Sequence, residues 1–162
     1  MQIARLIRLL MDDSPVISSS CKTKFIKTRP YTHVMKMSAE VLIENSKGDI
    51  LMLLRDDKPT IKWPNQWDFL GGVVEPGETP EEGVRRELME ELELELPNLE
   101  LLKIYDLGWV KDHVFHSKID IDTSKVNLHE GQRVQYFPVS ELKKMTLASH
   151  GNEVINDIYP DS

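Results

Sequence analysis

Residues 72–94 read Gly-Val-Val-Glu-Pro-Gly-Glu-Thr-Pro-Glu-Glu-Gly-Val-Arg-Arg-Glu-Leu-Met-Glu-Glu-Leu-Glu-Leu, a glycine-bearing loop running into one very acidic segment. The start of a helix is well marked. Thr79 is a good N-cap, Pro80 suits the first helical position, and Glu81 and Glu82 suit the positive end of the helix dipole. Glu82 lies three residues after Thr79, the spacing of a capping box. Winding residues 80–92 at about 100° per residue puts Val84, Leu88 and Leu92 on one stripe, which seeks a core. Glu87, Glu90 and Glu91 fall on another stripe, at i, i+3 and i+4. Solvated like charges at that spacing cost about 0.2–0.5 kcal/mol per pair. A divalent cation reverses the sign of that interaction, because hard ions such as Mg²⁺ take oxygen ligands from carboxylates and substrate phosphates.

This stretch resembles the Nudix box of the Nudix (MutT-like) hydrolases, G-x5-E-x7-R-E-U-x-E-E-x-G-U with U a bulky aliphatic. Gly72, Glu78, Arg86, Glu87, Leu88, Glu90, Glu91 and Leu94 match it. Glu93 departs from it, standing where the pattern has glycine. Glycine there would close the helix in the left-handed conformation, which a glutamate disfavours. The expectation is that the helix ends in another way, or that the loop after it shifts. Leu92, Leu94 and Leu96 alternate with Glu93 and Glu95, a pattern that leads straight into extended chain.

The resemblance reaches beyond the box. Leu51 to Pro59 and Gln66-Trp67-Asp68-Phe69-Leu70-Gly71-Gly72 look like the family's lead-in. Glu130-Gly131-Gln132 and Tyr136 to Leu142 look like its downstream strand and short helix. Roughly residues 35–158 are covered, and the first thirty are not.

The resemblance implies an α/β fold, a Nudix-type α/β/α sandwich with a mixed β-sheet and the acidic box helix on one face. It also implies an enzyme that hydrolyses an acid anhydride, cleaving the diphosphate bond of a nucleoside di- or triphosphate derivative with metal-activated water. An oxidised nucleoside triphosphate is one such substrate. The alternatives are a nucleotide sugar or other NDP-X compound and, in another class, a non-catalytic nucleotide-sensing module of the same fold. The implied cofactor is Mg²⁺, with Mn²⁺ as the substitute. Glu87, Glu90, Glu91 and Glu130 are then the metal carboxylates and Gly71 offers its carbonyl. Glu87 is the first candidate for general base and Glu130 the second. Gly72, Glu78 and Arg86 support them, the arginine by orienting carboxylates with its fixed fork. Specificity would be read by loops, with Arg55, Trp67, His150 and Asn152 as candidate substrate contacts. For His150 and Asn152, capping or flanking the last helix is an equal alternative.

Composition sets the outer limits. The chain has 162 residues, 40% hydrophobic and 29% charged, enough for one domain with a real core. Its formal charge of −7 makes it a poor binder of nucleic-acid polymers. One cysteine, Cys21, excludes an internal disulfide and fits a reducing cytoplasm. No apolar run approaches membrane-spanning length. Residues 1–31 read as a short amphipathic helix (Ile3, Leu6, Ile7, Leu10) and a polar connector, and residues 32–162 as the hydrolase domain. The helix is expected to dock on protein, and a homodimer is one way to do so. His113 and His116, three apart on a strand, point to opposite faces and cannot easily share a metal.

Around the box the expected elements are a hairpin of strands at 32–44 and 50–54 joined by Asn45-Ser46-Lys47-Gly48. A short strand leads into Gly71-Gly72. Further strands are expected at 99–107, 109–121 and 131–139, a helix capped by Ser140, and a last helix at 148–159.

Overall fold

In the computed structural model, residues 36–161 are described. The expected N-terminal amphipathic helix and its connector lie outside them. The elements are β1 (Lys36–Glu44), β2 (Asp49–Leu54), β3 (Trp67–Asp68), β4 (Leu70–Val73), α1 (Pro80–Leu92), β5 (Glu100–Asp106), β6 (Val110–Lys118), β7 (Arg133–Pro138), α2 (Val139–Leu142) and α3 (Gly151–Ile158). None of these helices is long and apolar enough to cross a membrane.

The β1–β2 hairpin turns on Asn45. Its side-chain oxygen accepts from the Lys47 and Asp49 amides at 2.9 Å each, an Asx-type turn built by the side chain itself. β1 and β2 then pair only at Ile43–Leu51 and Glu44–Ile50 before they part. The β3–β4 segment enters this fork. β3 pairs with the far end of β2, through Leu53–Asp68 and Leu54–Trp67. β4 pairs with the start of β1, from Ser38–Val73 to Val41–Leu70. On its other edge β1 runs parallel to β6 along its whole length, and β5 adds antiparallel outside that. β7 lies antiparallel along β2. The sheet is mixed, as expected.

Two apolar layers flank it. Ala39, Val41, Ile43, Leu51 and Leu70 meet Val84, Leu88 and Leu92 of α1. On the opposite face Leu42, Ile50, Met52, Phe69 and Val114 meet Leu142 of α2 and Val154 and Ile155 of α3. Alternation along β1 sends neighbours to opposite layers, so one strand supplies both cores. The result is the expected α/β/α sandwich with the acidic helix on one face.

Several boundaries differ from expectation. The strand entering Gly71-Gly72 breaks at Phe69 into two pieces, because its halves serve different partners. Ser140 lies inside α2 rather than capping it. That helix begins from Pro138, whose ring presets φ, and has no side-chain cap. α3 starts at Gly151, three residues later than the apolar pattern indicates.

Leu88 is fully buried between α1 and the sheet. Leu88→Ala is expected to lower unfolding stability by about 2–5 kcal/mol in denaturant titration, whereas Glu81→Ala on the exposed side of α1 changes it by less than about 1 kcal/mol.

Candidate active site

The box helix begins as its sequence predicts. The Glu82 amide donates to Thr79 Oγ1 at 3.2 Å and the Thr79 amide to Glu82 Oε2 at 2.7 Å, closing the capping box. The loop before it is held by Glu78, which accepts from the Glu75 amide at 2.9 Å.

Arg86 stands between the loop and the helix. Its Nε donates to Glu78 Oε1 at 2.8 Å, its Nη1 to Glu87 Oε1 at 2.9 Å, and its Nη2 to the Val73 carbonyl at 3.0 Å. Glu90 Oε2 is 3.5 Å from the same guanidinium. One planar fork thus ties a loop carboxylate, a helix carboxylate and the end of β4 together. Arg86 holds Glu78 below its ordinary pKa.

The two glycines allow β4 to lie close to β1 on one side and to the Glu87 carboxyl on the other. A Cβ on Gly72 would stand 2.8 Å from the Glu87 carboxyl carbon, and one on Gly71 only 2.2 Å from the Ala39 carbonyl oxygen. Gly71 also sits at φ +135, which L side chains rarely adopt.

The carboxylates differ in setting. Glu90 is half-exposed and leans on Arg86. Glu87 is partly buried, and burial raises its pKa against the opposing pull of Arg86, with Glu90 and Glu130 adding to the rise. Glu91 is 8% exposed, and its Oε2 is buried without a hydrogen-bond partner. Burial first, then the charges of Glu87, Glu130 and Asp68, push it up to about 8, while the Gly71 backbone opposes the shift. An orphaned, buried carboxylate oxygen crowded by other carboxylates fits a hard divalent cation, which would supply the missing partner and the compensating charge. Glu130 is exposed on the loop before β7, yet Glu87 and Glu91 both feel its charge. Gly131 beside it has φ +83, and a Cβ there would meet Leu53 and the Leu54 carbonyl within 3 Å. The Gln132 amide donates to that same carbonyl at 2.8 Å.

Glu93 corrects one expectation. The helix does end where the box glycine would end it, with Glu93 itself left-handed at φ 52, ψ 37. The Glu93 amide donates to the Met89 carbonyl at 3.1 Å and the Leu94 amide to the Leu88 carbonyl at 3.2 Å. A non-glycine residue in that region costs about 1–2 kcal/mol. The leucines after it do not form a strand.

The candidate specificity residues are partly engaged by the protein. Arg55 Nη1 donates to Asp68 Oδ2 at 2.8 Å and its Nε to the Lys62 carbonyl at 3.2 Å. Trp67 packs edge-on against Phe137 with ring centroids 4.7 Å apart. The Asn152 side chain accepts from the Leu147 amide at 3.0 Å and donates to the Met145 carbonyl at 2.8 Å, so its carboxamide flanks the start of α3.

His150 belongs to a group that sequence reasoning missed. Among the described residues, Glu40, Asp112 and His150 each place a possible ligand atom within 4.8 Å of the others. Asp112 is buried. Its Oδ1 accepts from Ser38 Oγ at 2.6 Å, and its Oδ2 faces His150 Nε2 at 3.1 Å without hydrogen-bond alignment. Burial and the charges of Asp112 and Asp68 push Glu40 well up. The available signal was an acid at an inward position of an alternating strand. Glu40 is two before Leu42 and Asp112 two before Val114, both core residues of the α3 face. Glu40 alternates with Ala39 and Val41 of the α1 layer, so its side chain leaves β1 on the opposite face. His113 and His116 join neither group. His113 Nδ1 lies 3.2 Å from the Ser38 carbonyl, and His116 Nε2 lies 3.0 Å from Glu44.

Known proteins agree with this architecture. The nucleoside triphosphatase NudI of Escherichia coli is 47% identical over 51 residues, 32% of this chain and 35% of that protein, so the match spans about a third of such relatives. Protein DR0079 of Deinococcus radiodurans has a TM-score of 0.68 at 21% identity, covering 83% of this chain and 90% of its own. The MutT protein of Methanosarcina mazei gives 0.63 at 25% identity, covering 78% and 96%. The Nudix domain of Shewanella oneidensis NrtR, complexed with ADP ribose, gives 0.62 at 17%, covering 76% and 86%. The NUDIX domain family matches residues 35–158, and with the box, the sandwich and that match in agreement the chain belongs to the Nudix family.

Proposed function

We propose that the protein is a Mg²⁺-dependent pyrophosphohydrolase that cleaves the diphosphate bond of a nucleoside di- or triphosphate derivative. The observation that carries this reading is Glu91, a buried carboxylate with an unpartnered oxygen, crowded by Glu87 and Glu130 beside the Gly71 backbone. Glu87, Glu90, Glu91 and Glu130 would hold the cation, with the Gly71 carbonyl. Bound there, Mg²⁺ would neutralise phosphate oxygens and acidify a water.

The residues then divide the work. Arg86 pins Glu87 Oε1, leaving the second oxygen to accept the proton of the attacking water. Burial raises the Glu87 pKa in the metal-free protein, and a cation held beside it would lower it again. Water oxygen bonds to phosphorus, the bridging P–O bond breaks, and the leaving phosphate keeps the electron pair. Glu130 would add its carboxylate from the loop before β7, a role supported by its charge acting on Glu87 and Glu91. The group attached to the diphosphate would be read near Glu40, where Asp112 Oδ2 and His150 Nε2 face each other 3.1 Å apart without hydrogen-bond alignment. The identity of NudI as a nucleoside triphosphatase supports a nucleotide substrate.

Assay of nucleoside triphosphates, nucleotide sugars and ADP-ribose with Mg²⁺ separates the readings by product. Pyrophosphate release marks a triphosphate, and sugar phosphate an NDP-X compound. Glu91→Gln is expected to lower kcat by at least about 100-fold while the fold is kept. A wild type that binds one nucleotide tightly and turns none over would identify a sensor instead.

Glu91 also predicts a pH signature. Its folded pKa of about 8 lies above the ordinary 4.5, so the folded state holds the proton more tightly than the unfolded chain. In metal-free protein, stability from this group therefore falls as pH rises between those values, then levels off above about 8. Glu91→Gln should flatten that fall in Tm when measured in EDTA. Mg²⁺ must displace the same proton, so its affinity by calorimetry should rise from pH 6 to pH 8 in the wild type and much less in Glu91→Gln.

A further inference from the structure

We infer that Glu93, the one departure from the box, is a positioning residue that latches the loop carrying Glu130 onto the end of the box helix. The inference rests on the functional reading above.

The geometry is specific. Glu93 Oε1 accepts from His129 Nε2 at 2.7 Å and from Asn127 Nδ2 at 3.0 Å. The His129 backbone amide donates to the Glu91 carbonyl at 2.8 Å. That carbonyl is among the last of the helix, which lack partners inside it. Three hydrogen bonds thus join the segment just before Glu130 to the last turn of α1 and its cap. The residue after this segment is the one whose charge both Glu87 and Glu91 feel.

Stability does not account for the glutamate. Its side chain is 55% exposed and that of His129 46%, and side-chain contacts so exposed contribute little to folding. Its left-handed backbone is strained, and a glycine would relieve it. What the side chain adds is location. Glycine would close the helix equally well but would leave Asn127 and His129 without their acceptor. Here the box helix and the fourth candidate carboxylate are fastened through a side chain the box pattern does not supply.

The test compares Glu93→Gly and Glu93→Gln with the wild type. Glu93→Gly is expected to keep or raise Tm, because it removes the strain. Hydrogen exchange of the 127–131 amides, above all that of His129, should accelerate by about threefold to tenfold, the range of one or two hydrogen bonds of this exposure. Mg²⁺ affinity, and kcat on whichever substrate the wild type turns over, should fall by a similar factor with KM little changed. Glu93→Gln keeps an oxygen acceptor and should restore most of both. In a Glu130→Gln background, Glu93→Gly should have no further effect on kcat, because the residue it positions is already disabled. Unchanged exchange across 127–131 in Glu93→Gly would overturn the latch whatever the substrate. Faster exchange with unchanged Mg²⁺ affinity and kcat would overturn its positioning role, as would a Glu93→Gln as impaired as the glycine variant. The exchange arm needs no turnover, so a wild type inactive on every nucleotide would count against the pyrophosphohydrolase reading alone.

Discussion

No side chain fits at Gly71 or Gly72, and the site depends on that constraint. β4 enters the fork between β1 and β2 only because a backbone without Cβ can lie against the Ala39 carbonyl. Its next residue leaves room for the Glu87 carboxyl against the strand. Helix α1 is thereby held close enough for Arg86 to reach the Val73 carbonyl while gripping Glu78 and Glu87. A methyl group at Gly71 would push β4 off the β1 backbone, and one at Gly72 would displace the Glu87 carboxyl.

Closeness has an electrostatic cost. Packing α1 on the sheet takes Glu91 out of water together with Leu88 and Leu92, since residues three and four apart on a helix are surface neighbours. The protein answers part of the resulting charge with Arg86, which is placed to favour Glu78 and Glu87 and leaves Glu91 unmatched. The same asymmetry recurs across the sheet. Arg55 answers Asp68, while Asp112 keeps one oxygen without an aligned donor. Groups left uncompensated in a folded interior are where a ligand gains most by binding.

The chain displays its fold more openly than its chemistry. The capping box at Thr79, the stripe of Val84, Leu88 and Leu92, and the Asn45 turn are local patterns, and local patterns survive into the structure. The fork that splits the Asp68–Leu70 strand was not legible, because it arises from two different partners competing for one short segment. Nor was the end of α1, since nothing near Glu93 in sequence announces that its side chain will meet Asn127 and His129, some 34 and 36 residues on. Glu40 and Asp112 were readable in principle as acids on an inward face, but only once each strand's inner face was known. Candidate residues carried by the box follow from one local pattern, whereas the grouping of Glu40, Asp112 and His150 needs the strand pairing.

The parallel pairing of β1 with β6 has a kinetic corollary. It joins positions 74 apart in the chain, as at Ser38 and Asp112, and β2, the fork and the whole box lie inside the loop it closes. Closing a loop of that length costs chain entropy before any contact repays it, and the β2–β7 pairing, as at Asp49 and Pro138, spans more chain still. During synthesis the acidic helix emerges well before β6, and until that strand arrives β1 has an open edge. The three candidate carboxylates of α1 are spaced by one local helix, whereas Glu130 follows β6 in the chain, so a nascent chain that stops short of it carries the motif without its fourth candidate carboxylate.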